Sequence, residues 1–247
     1  MKKIIIAAMA AAAAFTSYGK SPLTLMSYNI HNGVGIDNVT DYSRIGQMIK
    51  SHQPDIVAIQ EIDSVTTRSE GRYVLGEIAE TAGMNEYYAP AINFKGGKYG
   101  IGLLCKEKPQ KIRRFALPGS EESRALIIAE FPNYAFACTH LSLTEADREA
   151  SIEIINSLAQ EYQMPFFIAG DFNAKPDSKF YSLFTKTFSP LNNPDDPTFP
   201  AAKPNITIDY IMSYIPTDNQ VKTKHAEVIN EPKMSDHRPV IAKIYLH

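Results

Sequence analysis

Residues 165–173 read Pro-Phe-Phe-Ile-Ala-Gly-Asp-Phe-Asn, an apolar run that stops at an acid and an amide. Short runs rich in Phe and Ile, bounded by Gly, are typical of buried β-strands. A strand is therefore predicted over Pro165–Gly170, with Asp171 and Asn173 just beyond its carboxyl end. A single Asp in this place is most often a loop cap. The stretch therefore indicates a functional site only if polar residues follow other predicted strands in the same way.

The pattern does recur, because polar side chains follow or interrupt several other predicted strands. They are Asn29 after Leu23–Ser27, Glu61 after Ile56–Ile59, His140 after Ala135–Cys138, Asp209 within Ile206–Met212, and Asp236 and His237 just before Val240–Leu246. Strand ends on one edge of a sheet bring their side chains together. Loop capping alone does not explain six or seven such residues in succession. We therefore expect their side chains to meet at one rim of a sheet.

The remaining sequence predicts a mixed α/β fold, with two sheets and helices outside them. Helices are predicted after Asp41, over Val74–Ala82 and after Thr144, where Thr144 and Asp147 form a capping pattern. Three strands at 101–106, 125–130 and 134–141 have no helix between them and predict an antiparallel meander. The segment 174–205, rich in Pro and Asn, predicts an irregular excursion that shapes a site.

The first residues predict a secretory signal peptide. Lys2 and Lys3 precede an apolar run over 4–15, and small or polar residues continue to Gly19. We expect a signal peptide at 1–19, a single domain over 21–247, and a periplasmic or secreted product. The run is too short to span a bilayer as a helix, and an apolar helix retained in the fold is the alternative.

Composition limits the partners of this 247-residue chain. Its 25 Lys and Arg against 27 Asp and Glu give a net charge of −2, and loss of the leader lysines gives −4. Nucleic acid is possible but disfavoured, since binding through a basic surface needs clustered cations. We expect a monomer with no transmembrane segment in the mature chain, and two buried thiols at Cys105 and Cys138 rather than a disulfide.

The predicted rim residues indicate a metal-assisted reaction. Carboxylates and amides without a Cys pair suit Mg²⁺, or alternatively Mn²⁺ or Ca²⁺, better than structural zinc. Magnesium is usually held by one or two carboxylates together with a phosphate of the substrate. A carboxylate-lined site with histidines therefore predicts hydrolysis of a phosphoester.

The order and spacing of these motifs resemble the endonuclease/exonuclease/phosphatase superfamily. The matching segments are Tyr28-Asn29, Gln60-Glu61, Thr139-His140, Gly170-Asp171-Phe172-Asn173, Ile208-Asp209-Tyr210-Ile211 and Ser235-Asp236-His237-Arg238-Pro239-Val240. The resemblance runs from about Leu23 to the C-terminus. It implies a four-layered α/β sandwich, in which two packed mixed β-sheets are flanked by helices.

The resemblance also implies roles for individual residues. Glu61 corresponds to the principal metal ligand, with Asn29 beside it and Asp236 as a further ligand. Asp171 and Asn173 correspond to the pair that orients the attacking water. Asp209 and His237 correspond to an acid–imidazole pair, and whether His237 or Asp171 takes the proton is left open. His140 corresponds to a second histidine on the phosphate, where apurinic endonucleases use a tyrosine.

Several weaker signals allow two interpretations. Arg124 can contact a phosphate or form a structural ion pair with Glu122. Arg44 and Arg68 are assigned to structural ion pairs, and residues 96–100 to a hairpin loop in which Lys95 and Lys98 have a small chance of touching an anion. His31 and His225 are either extra metal donors or surface residues, and His52 a helix cap.

These expectations amount to a Mg²⁺-dependent phosphodiesterase or phosphatase that uses in-line attack of water on a small or head-group phosphoester. A secreted nuclease acting on DNA or RNA is the alternative. A catalytically silent binding module of the same fold is a remote third reading, because a fold does not determine function.

Overall fold

The computed structural model describes residues 22–216 and 221–246. The predicted signal peptide at 1–19 lies outside the described residues and stays a prediction. Within the described residues, no helix is both long and apolar enough to span a membrane.

Two six-stranded sheets form the centre of the structure. The first contains, in spatial order, β11 (Val221–Val228), β12 (Val240–Leu246), β1 (Leu23–Asn29), β2 (Ile56–Ser64), β4 (Gly97–Cys105) and β3 (Asn85–Phe94). The second contains β5 (Lys111–Leu117), β6 (Arg124–Glu130), β7 (Ala135–His140), β8 (Phe166–Asp171), β10 (Asp209–Tyr214) and β9 (Ser189–Pro190). Both sheets are mixed, because β1 is parallel to β2 and β7 is parallel to β8.

Helices cover the outer face of each sheet, which makes the fold a four-layered sandwich as predicted. The described helices are α1 (Tyr42–His52), α2 (Val74–Ala82), α3 (Glu145–Gln160) and α4 (Lys179–Phe184). Apolar side chains of α1 and α2 pack against β1 and β2, and those of α3 and α4 against β7, β8 and β10. A third apolar layer, which includes Leu25, Ile127 and Phe136, joins the two sheets.

The predicted helices lie where expected, with one difference in capping. The Asp41 side chain accepts a hydrogen bond from the Arg44 backbone N–H, and Gly83 ends α2 in the left-handed region. At the start of α3, however, the Thr144 side chain makes no capping hydrogen bond. The Asp147 carboxylate instead accepts hydrogen bonds from Ser120, which ties the helix to a neighbouring loop.

Two predictions about chain organisation are wrong. The strand at 101–106 belongs to the first sheet, where β4 pairs with β2 and β3, and the meander is formed by β5, β6 and β7. The segment 174–205 is only partly irregular, because it contains α4 and β9. Phe180, Phe184 and Phe188 from this segment are buried in the core.

Both cysteines are free thiols buried in the layer between the sheets. Burial raises the pKa of each thiol to about 12. The prediction of two buried thiols is confirmed.

Candidate active site

Three of the predicted site residues form one row across neighbouring strands of the second sheet. His140 on β7 pairs with Asp171 on β8, and Asp171 pairs with Asp209 on β10. Residues paired in this way project from the same face of a sheet. The strand register therefore brings an imidazole and two carboxylates together at the edge of the sandwich.

Gly170 allows this row to form. A Cβ atom at this position would overlap the carbonyl oxygen of Thr139 on the adjacent strand. Because Thr139 and Gly170 are direct partners in the β7–β8 ladder, any side chain here would separate the two strands. The glycine before Asp171 is thus required for the His140–Asp171 pairing.

The first sheet contributes Asn29 from the end of β1 and Glu61 from a bulge within β2. The β2–β4 pairing is interrupted between Ile59 and Ile62, and Glu61 within this bulge has a φ of 61°. The Asn29 side-chain nitrogen donates to Glu61 Oε1 at 3.0 Å and to Asp171 Oδ2 at 3.1 Å. Asn29 therefore links the carboxylates of the two sheets.

The amide orientation of Asn29 is fixed by the turn that follows it. Asn29 Oδ1 accepts a hydrogen bond from the His31 backbone N–H at 3.0 Å. His31 and Asn32 both have positive φ angles, of 46° and 48°, a conformation that costs free energy in non-glycine residues. This turn leaves only the amide nitrogen of Asn29 directed at the two carboxylates.

His237 reaches the row from the loop that precedes β12. Its Nδ1 lies 2.9 Å from Asp209 Oδ2, and the same oxygen accepts a hydrogen bond from Thr198 Oγ1 at 2.5 Å. The loop is held to β1, because Ser235 Oγ donates to the Asn29 carbonyl oxygen at 2.7 Å. The Phe199 ring packs on the imidazole with centroids 4.8 Å apart.

Asp171 is the centre of the cluster. Its Oδ2 lies 3.4 Å from His140 Nε2 and 3.6 Å from His237 Nε2. Its Oδ1 accepts a hydrogen bond from the Asn173 backbone N–H, and the Asn173 side chain donates to the Leu141 carbonyl oxygen. The carboxylate is thus approached by two imidazoles and two asparagines, while only 2% of the residue is exposed.

The two histidines differ in protonation. Burial disfavours the charged form of His237, but the carboxylates of Asp209 and Asp171 outweigh it and raise its pKa to about 10. Burial lowers the pKa of His140 to about 4. The Asp171 carboxylate acts in the opposite direction, but the positive charges of Arg124 and His237 lower the pKa further. Burial also raises the pKa of Asp171, whereas the charges of the two histidines act to lower it. At neutral pH the site therefore holds one imidazolium and one neutral imidazole.

Arg124 lies at the wall of the site and is engaged in ion pairs. Its guanidinium is 3.0 Å from Glu121 and 3.4 Å from Glu122, so the predicted structural pair exists and includes a second glutamate. Arg124 is 7% exposed, and its Nε has no hydrogen-bond partner. Glu121 also accepts hydrogen bonds from Ser142, which fixes the wall to the loop after β7.

An open cleft of about 520 Å³ contains these groups. It is lined by Glu61, Tyr99, Glu122, Arg124, His140, Leu143, Asp171, Asn173, Lys175, Phe199, Ile206, Ile208, Asp236 and His237. Asn29 and Asp209 support the cleft from behind. All eight residues predicted as catalytic or metal-binding are thus at this place, together with Arg124.

Sequence reasoning missed the aromatic and apolar part of the lining, namely Tyr99, Leu143, Phe199 and Ile206. Leu143 is 67% exposed, so no burial pattern marked it. Phe199 lies in the segment predicted to shape a site, which was the only available signal.

The weaker signals are resolved by their contacts. Arg44 pairs with Asp37 at 2.8 Å and Arg68 with Asp63 at 2.7 Å, as predicted. Residues 95 and 96 connect β3 to β4 as a hairpin, but residues 97–100, predicted as part of the loop, belong to β4. Lys98 bonds to Asn93. The other three histidines in the described part of the chain lie outside the cleft lining: His31 bonds to the Val34 carbonyl, His52 to the Met48 carbonyl, and exposed His225 pairs with Glu227.

Asp171, Asp209 and His237 form a buried cluster that could hold a metal ion. One possible ligand atom from each lies within 4.8 Å of the others. Asp209 Oδ1 is buried without a hydrogen-bond partner in the protein. Together with Glu61, these donors are mostly carboxylate oxygens, which suit a hard divalent cation.

Solved structures share this architecture. An endonuclease/exonuclease/phosphatase from Beutenbergia cavernae has 20% identity and a TM-score of 0.78, with 92% of this chain and 72% of that chain covered. A mannosyl-6-phosphatase from Bacteroides thetaiotaomicron has 19% identity and a TM-score of 0.69, with 90% and 99% covered. The human Nocturnin catalytic domain with bound sulfate has 17% identity and a TM-score of 0.69, with 92% and 94% covered. At such identities the likeness shows a shared fold.

The sequence itself carries the family assignment. The profile of the Endonuclease/Exonuclease/phosphatase family matches residues 26–237, which include every residue of the site. The chain therefore belongs to the endonuclease/exonuclease/phosphatase family.

Proposed function

We propose that the protein is a metal-dependent hydrolase of phosphoesters, with a small or head-group phosphoester as substrate. The observation that carries this proposal is the row of His140, Asp171 and Asp209, joined to His237 and open to solvent through the cleft. It combines a proton acceptor, a cationic donor and carboxylate oxygens around one open space.

The residues present fit a divalent cation such as Mg²⁺, with Mn²⁺ or Ca²⁺ as alternatives. Glu61, Asp171 and Asp236 line one cleft, and the Asn29 amide nitrogen bonds to both Glu61 and Asp171, so a cation there would neutralise carboxylate charge. Glu61 and Asp236 would hold it rather than the Asp171–Asp209–His237 cluster, because the His237 imidazole is already hydrogen-bonded to Asp209. Asn29 would orient Glu61 and Asp171 through its amide nitrogen. When bound, the metal would polarise the phosphoryl group and offset its developing charge.

The protonation states assign roles to the protein groups. His237 is an imidazolium whose Nδ1 proton is directed at Asp209, so it has no free lone pair to act as a base. Asp171, in contact with Asn173, is the better acceptor for the proton of the attacking water. His237 Nε2 would then donate to a phosphoryl oxygen, and neutral His140 would lie at the leaving group. Arg124 would bind a further phosphoryl oxygen.

The substrate class is supported by charge and by the cleft walls. The net charge of −2 for the chain gives little attraction for a long polyanion. The Bacteroides mannosyl-6-phosphatase indicates that this fold can act on a sugar phosphate. A nuclease that cleaves DNA or RNA is the second candidate, favoured by the aromatic rings of Tyr99 and Phe199 in the cleft, on which bases can stack.

Hydrolysis of bis-p-nitrophenyl phosphate tests the proposal. We expect turnover with Mg²⁺, its loss with EDTA, and no measurable turnover in Asp171→Ala or His237→Ala, both of which should remain folded. Wild-type rates in either variant would overturn the site assignment. A panel of sugar phosphates, inositol phosphates and phospholipids, beside nicking of supercoiled plasmid at low salt, separates the two substrate classes.

A further inference from the structure

Tyr99 on β4 has no part in the chemistry assigned above, yet it lines the same cleft as Glu61. In the β2–β4 ladder Tyr99 pairs with Asp63, and the next residue pair, Ile62 with Gly100, borders the bulge that contains Glu61. The bulge therefore places the Glu61 side chain beside the Tyr99 ring, on the side that faces the second sheet.

We propose that Tyr99 is a positioning residue, whose hydroxyl holds the Glu61 carboxylate in place for a divalent cation. This inference rests on the proposed function, because only that function makes Glu61 a metal ligand. It concerns the chain's own side chains and adds a residue that the sequence did not assign to the site.

The Tyr99 ring is held in place from two sides. The Arg68 guanidinium lies over the Tyr99 ring at 5.3 Å and over the Phe94 ring at 4.6 Å, and the two rings are 5.9 Å apart. Arg68 in turn donates two hydrogen bonds to Asp63, of 2.7 and 2.8 Å. Asp63 is 1% exposed, so this ion pair is anchored in the interior.

Tyr99 and Glu61 line the same cleft, and the Glu61 carboxylate lies close enough to the Tyr99 phenol for its charge to act on it. Asn29 donates to Glu61 Oε1 from β1. A hydrogen bond from the Tyr99 hydroxyl would give this carboxylate a second donor, from β4 on the other side of β2. Two such donors would fix a metal ligand and tune its affinity.

Manganese binding, followed by electron paramagnetic resonance of free Mn²⁺, tests this role without turnover. Loss of an outer hydrogen bond to a ligand typically weakens metal binding about 10–100-fold, and we expect this change in Tyr99→Phe. Tyr88→Phe is the matched control, because that hydroxyl donates to the Ile62 carbonyl oxygen and does not line the cleft. It should bind Mn²⁺ like the wild type.

Kinetics distinguish positioning from substrate contact. In Tyr99→Phe the Mg²⁺ concentration for half-maximal rate should rise, while kcat and the substrate KM at saturating Mg²⁺ stay near wild-type values. Unchanged Mn²⁺ affinity in Tyr99→Phe, or a raised substrate KM at saturating metal, would overturn the inference. Tyr99→Phe keeps the ring that packs against Arg68 and Phe94, and circular dichroism should show that the variant is folded.

The proposed function fails in a different way. If wild-type protein bound no Mn²⁺, or if Glu61→Gln bound it unchanged, the metal assignment itself would be wrong. If Glu61→Gln lost binding and Tyr99→Phe did not, only the role of Tyr99 would be rejected.

Discussion

Nδ1 of His237 lies 2.9 Å from Oδ2 of Asp209, and both residues are at least 95% buried. The pair connects the loop before the last strand of the first sheet to β10 of the second. Its hydrogen bond fixes the imidazole orientation and leaves Nε2 directed at Asp171.

Replacement of Asp209 by Asn should remove most of the activity. The amide cannot stabilise the imidazolium, and losing a positioned acid–base group costs about 10²–10⁴ in rate. The measurement is kcat on bis-p-nitrophenyl phosphate with Mg²⁺. Asp196→Asn, on an exposed loop nearby, is the control and should leave kcat unchanged. Equal rates for Asp209→Asn and wild type would contradict the role of the pair.

The two histidines should titrate at opposite ends of the pH range. Ring nitrogen NMR of the metal-free protein should find His140 neutral above about pH 5 and His237 protonated up to about pH 9, following pKa values of about 4 and about 10. His140→Gln and His237→Gln assign the signals. If both histidines instead titrated near pH 6.5, the carboxylates would not raise the pKa of His237 and burial would not lower that of His140.

The same shifts have opposite consequences for stability. His237 has a raised pKa in the fold, so its contribution is complete below pH 6.5 and is lost as pH rises towards 10. His140 has a lowered pKa, so its contribution is present above pH 6.5 and is lost as pH falls towards 4. Urea unfolding of the wild type and the two variants at pH 5, 7 and 9.5 should separate these effects. A difference between His237→Gln and wild type that did not vary with pH would refute this linkage.

Gly170→Ala should destabilise the fold severely, because the added Cβ overlaps the Thr139 carbonyl oxygen and separates β7 from β8. We expect a loss of at least about 3 kcal/mol in the free energy of unfolding. The control is Gly71→Ala, where no atom lies within 4 Å of the added Cβ and the φ of 75° is the main cost, about 1–2 kcal/mol. Comparable losses in both variants would show that the close strand approach is unimportant.

Cys105 and Cys138 should resist thiol reagents in the native protein. Both are fully buried, and their pKa values of about 12 leave almost no thiolate near neutral pH. Ellman's reagent should titrate two thiols only after unfolding in guanidinium chloride. Rapid stoichiometric reaction of the folded protein would indicate that the layer between the sheets opens readily.

The strands and the site were predicted from sequence to different degrees. Buried strands such as β8 have uninterrupted apolar runs, which sequence periodicity detects. The missed strands β3, β5 and β11 form sheet edges and are half exposed, so β11 reads as a charged segment, Val-Lys-Thr-Lys-His-Ala-Glu-Val. Edge strands carry charged residues because they must avoid pairing with other chains, and this hides them from a search for apolar runs.

Polar residues at strand ends were visible as breaks in apolar runs, which is why His140, Asp171 and Asp209 could be predicted together. Tyr99 could not, because the glycines around it predicted a hairpin loop over 96–100, whereas β4 already begins at Gly97. Its position beside Glu61 depends on the bulge in β2, and the sequence around Gln60 has no glycine to indicate one. The assignment of β4 to the wrong sheet had a similar cause, since chain order alone does not reveal which sheet a strand joins.

The cleft is assembled from both halves of the sandwich, with Glu61 on one sheet and Asp171 on the other. The amide nitrogen of Asn29 joins these two carboxylates by donating a hydrogen bond to each. Neither sheet alone possesses a working set of groups, so catalytic competence depends on how the two halves sit against each other. Under the proposed function, the rate of hydrolysis would therefore depend on the alignment of the two sheets. It would fall if the halves slid against each other, even with every strand and helix intact.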